Sequence, residues 1–292
     1  MILTDALGSP LRLPAEGSSL PPRVGDAWVV STDGHDQGLV LVAATRPMHV
    51  LAWPVTNPSP DAAAPAFTVE VPELGPMVAW PDAEFGLSMA ALDRRLGQVL
   101  DDRAMREVRW AVAEDDLDAD FAWCPQQESP ASDAAFEAVC TQAWALGEWA
   151  WPSAATGIGV FDGDRLRAND VDAERLAEVL PARPGRVSAL IRGTKVPSQE
   201  EVAAVLTLLP RLEAQDVLAP VADDEAQVIA LPAFKQDVLE LMARTGETEQ
   251  QARTAVWERS SQAARQVTHA ERSEAARARV DFALRQLLEE TR

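Results

Sequence analysis

The chain has 292 residues, 47% of them hydrophobic, and a net charge of −20 from 26 Lys+Arg against 46 Asp+Glu, enough length for two or three domains with a sizeable core. No apolar run of membrane length occurs and the start, Met1-Ile2-Leu3-Thr4-Asp5, lacks the basic then apolar pattern of a signal peptide, so a cytoplasmic protein that does not enter the membrane is expected. Cys124 and Cys140 without a CxxC, and the scattered His35, His49 and His269, are too few ligands for a tetrahedral zinc site, so no metal and no other cofactor is expected.

The charge is uneven. Residues 1–170 hold 10 Arg and 26 Asp+Glu, or −16, and residues 171–292 hold the remaining 16 Lys+Arg and 20 Asp+Glu, or −4. The acidic half repels nucleic acid and is open to a protein partner.

Residues 1–23, with Pro10, Pro14, Pro21 and Pro22, read as an extended arm. Short β-rich runs follow at Ala27-Trp28-Val29-Val30, Gly38–Ala43, His49–Thr56, Phe67–Val71 and Met77–Trp80, separated by Gly, Pro, Asn and Asp, which indicates a small barrel or sandwich. Helices are expected from Met89 to about Leu100 and from Asp102 to Val112.

Residues 24–113 are similar to the MazF/PemK toxin family, an SH3-like β-barrel with attached helices. The matching pieces are Gly25-Asp26-x-Trp28, Gly38-Leu39-Val40-Leu41-Val42, Pro54-Val55-Thr56 and Leu92-Asp93-Arg94-Arg95-Leu96-Gly97. The resemblance implies metal-free RNA cleavage, with a basic residue in the loop after the first strand and Thr56 as the hydroxyl residue; His35 is the only candidate acid or base in that loop, and in the cleavage alternative Arg23 or Arg46, from elsewhere, supplies the cation. The loop Ser31–Gly38 carries no Arg or Lys, and without a cation on the phosphate the barrel is expected to be non-catalytic.

Residues 114–170 read as an acidic linker, Glu114–Asp120, and a Trp-rich connector. In it Phe136, Val139, Cys140 and Trp144 repeat at helical spacing after a cap at Ser132 or Asp133. Trp123, Trp144, Trp149 and Trp151 are expected to pack in the core and at a domain interface. Gly157-x-Gly159 is too short for a dinucleotide fingerprint, and Asp162-Gly163 between apolar residues suggests a β-hairpin.

Residues 171–213 read as helices. Leu176, Ala177, Val179 and Leu180 make one stripe, ended by Pro181. Pro184 opens a second helix with Val187, Leu190 and Ile191, ended by Gly193, and Ser198 with Glu201 caps a third through Val202, Val205, Leu206 and Leu209. The segment resembles the lambda-repressor-like, Xre-type helix-turn-helix family. That resemblance implies that the helix near Arg183 lies in the major groove of double-stranded DNA. Arg183, Arg186, Arg192 and Lys195 fall in a stretch without an acid. Arg186 is expected on a base edge, Arg183, Arg192 and Lys195 on phosphates, and Ser188 as an auxiliary donor.

Residues 214–231 read as an acidic linker. Residues 232–292 read as helices: Phe234–Arg244, a restart at Thr248 with Gln251, and a last helix capped by Thr268 with Glu271. They serve assembly, either as a homodimer interface or as an intramolecular bundle.

The expected whole is α+β: an N-terminal SH3-like barrel with helices, an all-α helix-turn-helix and a C-terminal helical region. The function expected is sequence-specific transcriptional regulation of toxin-antitoxin or phage-defence type. The alternatives are a MazF-type endoribonuclease fused to a regulatory module, and an acidic adaptor that binds a basic protein.

Overall fold

The computed structural model describes residues 20–117, 121–126, 129–152, 159–180, 182–193, 195–219, 224–263 and 272–291. The fold is mixed α+β and divides into two compact units. The first is the chain up to Ala150 together with Ala230–Leu239; the second is Trp151–Ile229 together with Glu240 onward.

In the first unit seven antiparallel strands, β1 Asp26–Thr32, β2 His35–Thr45, β3 His49–Thr56, β4 Phe67–Val71, β5 Gly75–Ala79, β6 Phe85–Ser88 and β7 Leu92–Gln98, run in the order β4-β5-β3-β2-β1-β7, with β6 on β3. Odd-numbered residues fill one face: Ala27, Val29, Leu39, Leu41, Ala43, Trp53, Val55, Phe67, Val69, Met77 and Ala79 form one cluster. Even-numbered Trp28, Val30, Val40, Val42, Ala52 and Val78 are buried as well, so the central strands are covered on both faces. They therefore read as continuous apolar runs rather than as alternation.

The expected helix at 89–100 is a correction. Met89–Ala91 is a single 3-10 turn and Leu92–Gln98 is strand β7. β7 pairs along β1, Asp26 opposite Gln98 to Val30 opposite Leu92. The backbone groups on that side of β1 need a partner, and this long-range demand overrides local helical spacing. Arg94 and Arg95 thus stay in the sheet, Arg95 clamping the fully buried Asp26 through Nε at 2.8 Å and a second nitrogen at 2.5 Å. Gly25 enters the sheet at φ +83, and a Cβ there would lie 1.9 Å from the Leu100 carbonyl oxygen.

Helix α1, Asp102–Glu114, starts where Asp101 accepts hydrogen bonds from the Arg103 and Ala104 amides, and lays Met105 and Val108 on the odd-numbered face. Helix α2, Pro130–Glu148, starts at Ser129, whose hydroxyl accepts from the Ser132 amide while Ser132 reciprocates. It begins three residues before the expected cap because Pro130 fits the first helical position. The helix belongs to the first unit and not to a connector. Its Val139 packs with Val78 and Trp80 on the even-numbered face.

In the second unit β8 Val160–Phe161 pairs with β9 Leu218–Ala219. Asp162-Gly163 makes no hairpin. Asp162 caps helix α3, Gly163–Ala168, by accepting from the Asp164 and Arg165 amides at 3.0 and 3.1 Å, the usual competition of a short acidic side chain for the backbone. Helices α4 Ala173–Val179, α5 Pro184–Ile191 and α6 Gln199–Leu208 follow at the expected positions. Leu176, Leu180, Val187, Leu190, Val202, Val205 and Leu209 meet in one core.

The expected linker 214–231 is largely ordered structure: α7 Ala214–Val217, β9 and α8 Asp224–Ala230, with Val217, Leu218 and Ile229 buried. Val217 and Leu218 join the second unit's core, and Glu225 is itself buried, accepting from Arg279 Nε at 2.7 Å. Helices α9 Lys235–Thr245, α10 Glu249–Ala263 and α11 Arg272–Glu290 complete the chain. Most of the expected arm, Pro181, Gly157 and the Thr268–Glu271 cap lie outside the described residues.

Candidate functional site

Helix α5 is short because Pro184 supplies its first turn and Gly193, at φ +63, ends it. Val187 and Leu190 are buried, so the opposite stripe faces water: Gly185, Ser188 and Arg192, spaced i, i+3, i+7, are exposed, as is Arg183 at the N-cap. A Cβ at Gly185 would meet nothing within 4 Å. The stripe is therefore smooth, with cations at both ends and no acid between Pro181 and Gln199.

Two of the four expected contact cations are engaged within the fold. Arg186 holds Glu201 with Nε at 2.6 Å from Oε1 and a second nitrogen at 2.7 Å from Oε2, and also donates to the Val196 carbonyl at 3.3 Å. Glu201 in turn accepts from the Ser198 amide at 2.7 Å. The hydrogen bond from Arg186 holds the Glu201 carboxyl below its ordinary value, against the opposing effect of burial, and Glu201 pushes the Arg186 guanidinium up. Lys195 is paired with Glu258, which also accepts from the Val196 amide at 3.0 Å.

Arg192 donates through Nε to the Ser188 carbonyl at 3.0 Å, one turn back on its own helix. The surface cations of the stripe are thus Arg183 and Arg192, with Ser188 between them, and Arg186 and Lys195 act as struts. Sequence spacing assigned all four to DNA contact, because Glu201 and Glu258 lie 15 and 63 residues away from their partners.

The cations expected for RNA chemistry, Arg23 and Arg46, lie at the opposite end of β2 from Thr56 and His35. Val55, next to Thr56, pairs with Leu39, whereas Val50 pairs with Thr45, next to Arg46. Six residues of β2 separate those levels, roughly 20 Å at about 3.3 Å per residue. Arg23 lies at the Arg46 end, since Gly25 donates to the Val42 carbonyl at 2.8 Å, and His35 sits at the opposite end, in the β1–β2 hairpin. The Thr56 hydroxyl accepts from Trp80 Nε1 at 2.9 Å and donates to the Asn57 carbonyl, so it serves the fold. Among the described residues no group of His, Cys, Asp and Glu is placed to hold a metal ion.

The tryptophans divide. Trp123 stacks edge-on with Phe67 at 5.6 Å and Trp151 is buried, but Trp144 is 77% exposed and departs from the expected packing role. Sequence reading also passed over Lys235, which is fully buried on the first unit. Its Nζ donates to the Ser31 and Ala90 carbonyls at 2.8 and 3.1 Å and stands 5.5 Å from the Trp149 ring centre. That the chain has only two lysines, and that this one begins a helix after an apolar turn, was the available signal.

No family model, curated protein or solved structure matches this chain. No described helix is long and apolar enough to cross a membrane.

Proposed function

We propose that the second unit binds double-stranded DNA through the exposed stripe of α5, and that the protein is a sequence-specific regulator of the Xre type. The observation that carries this reading is the exposed stripe Arg183, Gly185, Ser188 and Arg192, on a segment without an acid from Pro181 to Gln199, in a chain of net charge −20. Selection against charge repulsion explains such a clearing where a polyanion docks. A helix with small residues on its outer stripe allows its backbone to approach the groove floor closely.

The roles differ from those first expected. Arg183 at the N-cap and Arg192 at the last turn contact phosphates, Ser188 and the helix backbone between them face the bases, and Arg186 and Lys195 hold the stripe in place. Two half-sites and a homodimer go with this reading. The SH3-like first unit has no cleavage role in it, since Thr56 stands apart from Arg23 and Arg46.

The test is selection of bound fragments from a randomised duplex pool by the full chain, repeated with Arg192→Ala and Ser188→Ala. An enriched motif is expected. Arg192→Ala weakens binding to all sequences and lowers the slope of log affinity against log salt by about one; Ser188→Ala blurs the motif. Absence of enrichment together with absence of salt-dependent binding overturns the regulator reading and favours the acidic adaptor.

A further inference from the structure

We propose that the cleft between α2 and the β1–β2 hairpin is a binding site for an uncharged planar molecule with an amide-like hydrogen-bonding edge. The cleft has a volume of about 400 Å³, within the range of sites that hold small ligands. It lies wholly within the first unit.

One wall is a single stripe of α2. Ala138, Thr141, Gln142 and Ala145 recur at i, i+3, i+4 and i+7, and Trp149 follows at the C-cap. The helix is seated hard on the sheet: a Cβ at Gly147 would lie 3.2 Å from the Gly86 carbonyl oxygen on β6. The other wall is Thr32 and Gln37 from the hairpin. The two walls are tied by Gln142 Nε2 donating to the Gln37 carbonyl at 3.3 Å.

The lining fixes the ligand chemistry. Among the described residues none that lines the cleft carries a formal charge, although the protein as a whole is strongly acidic. An ion entering it would be desolvated without a counter-ion. Ala145, Leu146 and the Trp149 indole give an apolar surface for a flat ring. The indole is held by Lys235, whose Nζ is itself fixed by two carbonyls, so the wall is formed before anything binds.

The hydrogen-bonding groups are amides and hydroxyls. Gln142 has its Nε2 engaged, which leaves the Oε1 as acceptor. Thr141 donates to the Glu137 carbonyl at 2.9 Å, which leaves its oxygen as acceptor. Gln37 offers both a donor and an acceptor, and Thr32 a hydroxyl. This set complements a ligand edge with one N–H beside one C=O, as in an aryl amide or an oxopurine.

The probes are benzamide, hypoxanthine and benzoate, the last being the anionic counterpart of benzamide, titrated into the full chain and followed by saturation-transfer NMR and calorimetry. Benzamide and hypoxanthine are expected to saturate with Kd below about 1 mM, with benzoate at least about tenfold weaker. Ala145→Leu fills the cleft at an exposed helix position and is expected to weaken both neutral probes at least about tenfold. Gln37→Leu, which removes the hairpin's amide and leaves the cleft open, weakens them less. Failure of both neutral probes to saturate below about 1 mM, equal binding of benzoate, or unchanged binding in Ala145→Leu overturns the assignment.

Discussion

Removing Arg186 tests the division of the α5 cations into struts and surface contacts. In Arg186→Ala, Glu201 loses two charge-assisted hydrogen bonds of 2.6 and 2.7 Å and keeps the Ser198 amide at 2.7 Å. The Glu201 side chain is 7% exposed and that of Arg186 is 39% exposed. Solvent at the arginine therefore screens the pair well below the several kcal/mol of a fully buried one. The expected loss is about 1–2 kcal/mol of local stability.

Amide hydrogen exchange on α5–α6 in the full chain reads this as a roughly 5- to 30-fold fall in protection at pH 7. A double-mutant cycle with Glu201→Gln isolates the pairwise part. Because the folded carboxyl of Glu201 lies below its ordinary value, its contribution is complete above the unfolded value of about 4.3 and is lost as pH falls through the folded one. The difference between wild type and Arg186→Ala therefore shrinks on acidification below pH about 4. Unchanged protection at pH 7 together with loss of DNA enrichment would refute the strut assignment and return Arg186 to base contact.

Gly25→Ala forces a Cβ onto the Leu100 carbonyl at a left-handed φ of +83. It is expected to cost the first unit about 3 kcal/mol or more, seen as a lower midpoint in urea unfolding; a midpoint within error of wild type would show that the β1 entry relaxes freely. Lys235→Met leaves the Ser31 and Ala90 carbonyls without this donor and is expected to cost about 2 kcal/mol, with a change in Trp149 emission. Neutral or raised stability there would mean that burying the ammonium costs as much as its bonds return.

Much of the architecture was legible from local chemistry. The five expected strands appear in the first sheet, Asp33-Gly34 forms the first turn with both residues at positive φ, and the Ser198–Glu201 capping box is present with both of its bonds. Pro184 and Gly193 bound α5 as their backbone preferences require. Thr248 and Gln251 exchange the expected cap bonds at the start of α10. Each of these signals is contained within a few residues, so sequence alone carries it.

What composition and spacing determined, then, is the α+β class, most element positions, and the cation-rich clearing around α5. The tertiary structure alone decided which cations remain at the surface, because Arg186 and Lys195 find acids far along the chain. It also decided that Leu92–Gln98 is a strand, since the edge of β1 needs a partner that no local window contains. Placement of α2 on the first sheet, and with it the neutral cleft beside the hairpin, follows the same rule. Long-range pairing and burial are properties of the folded chain, and periodicity within one segment does not encode them.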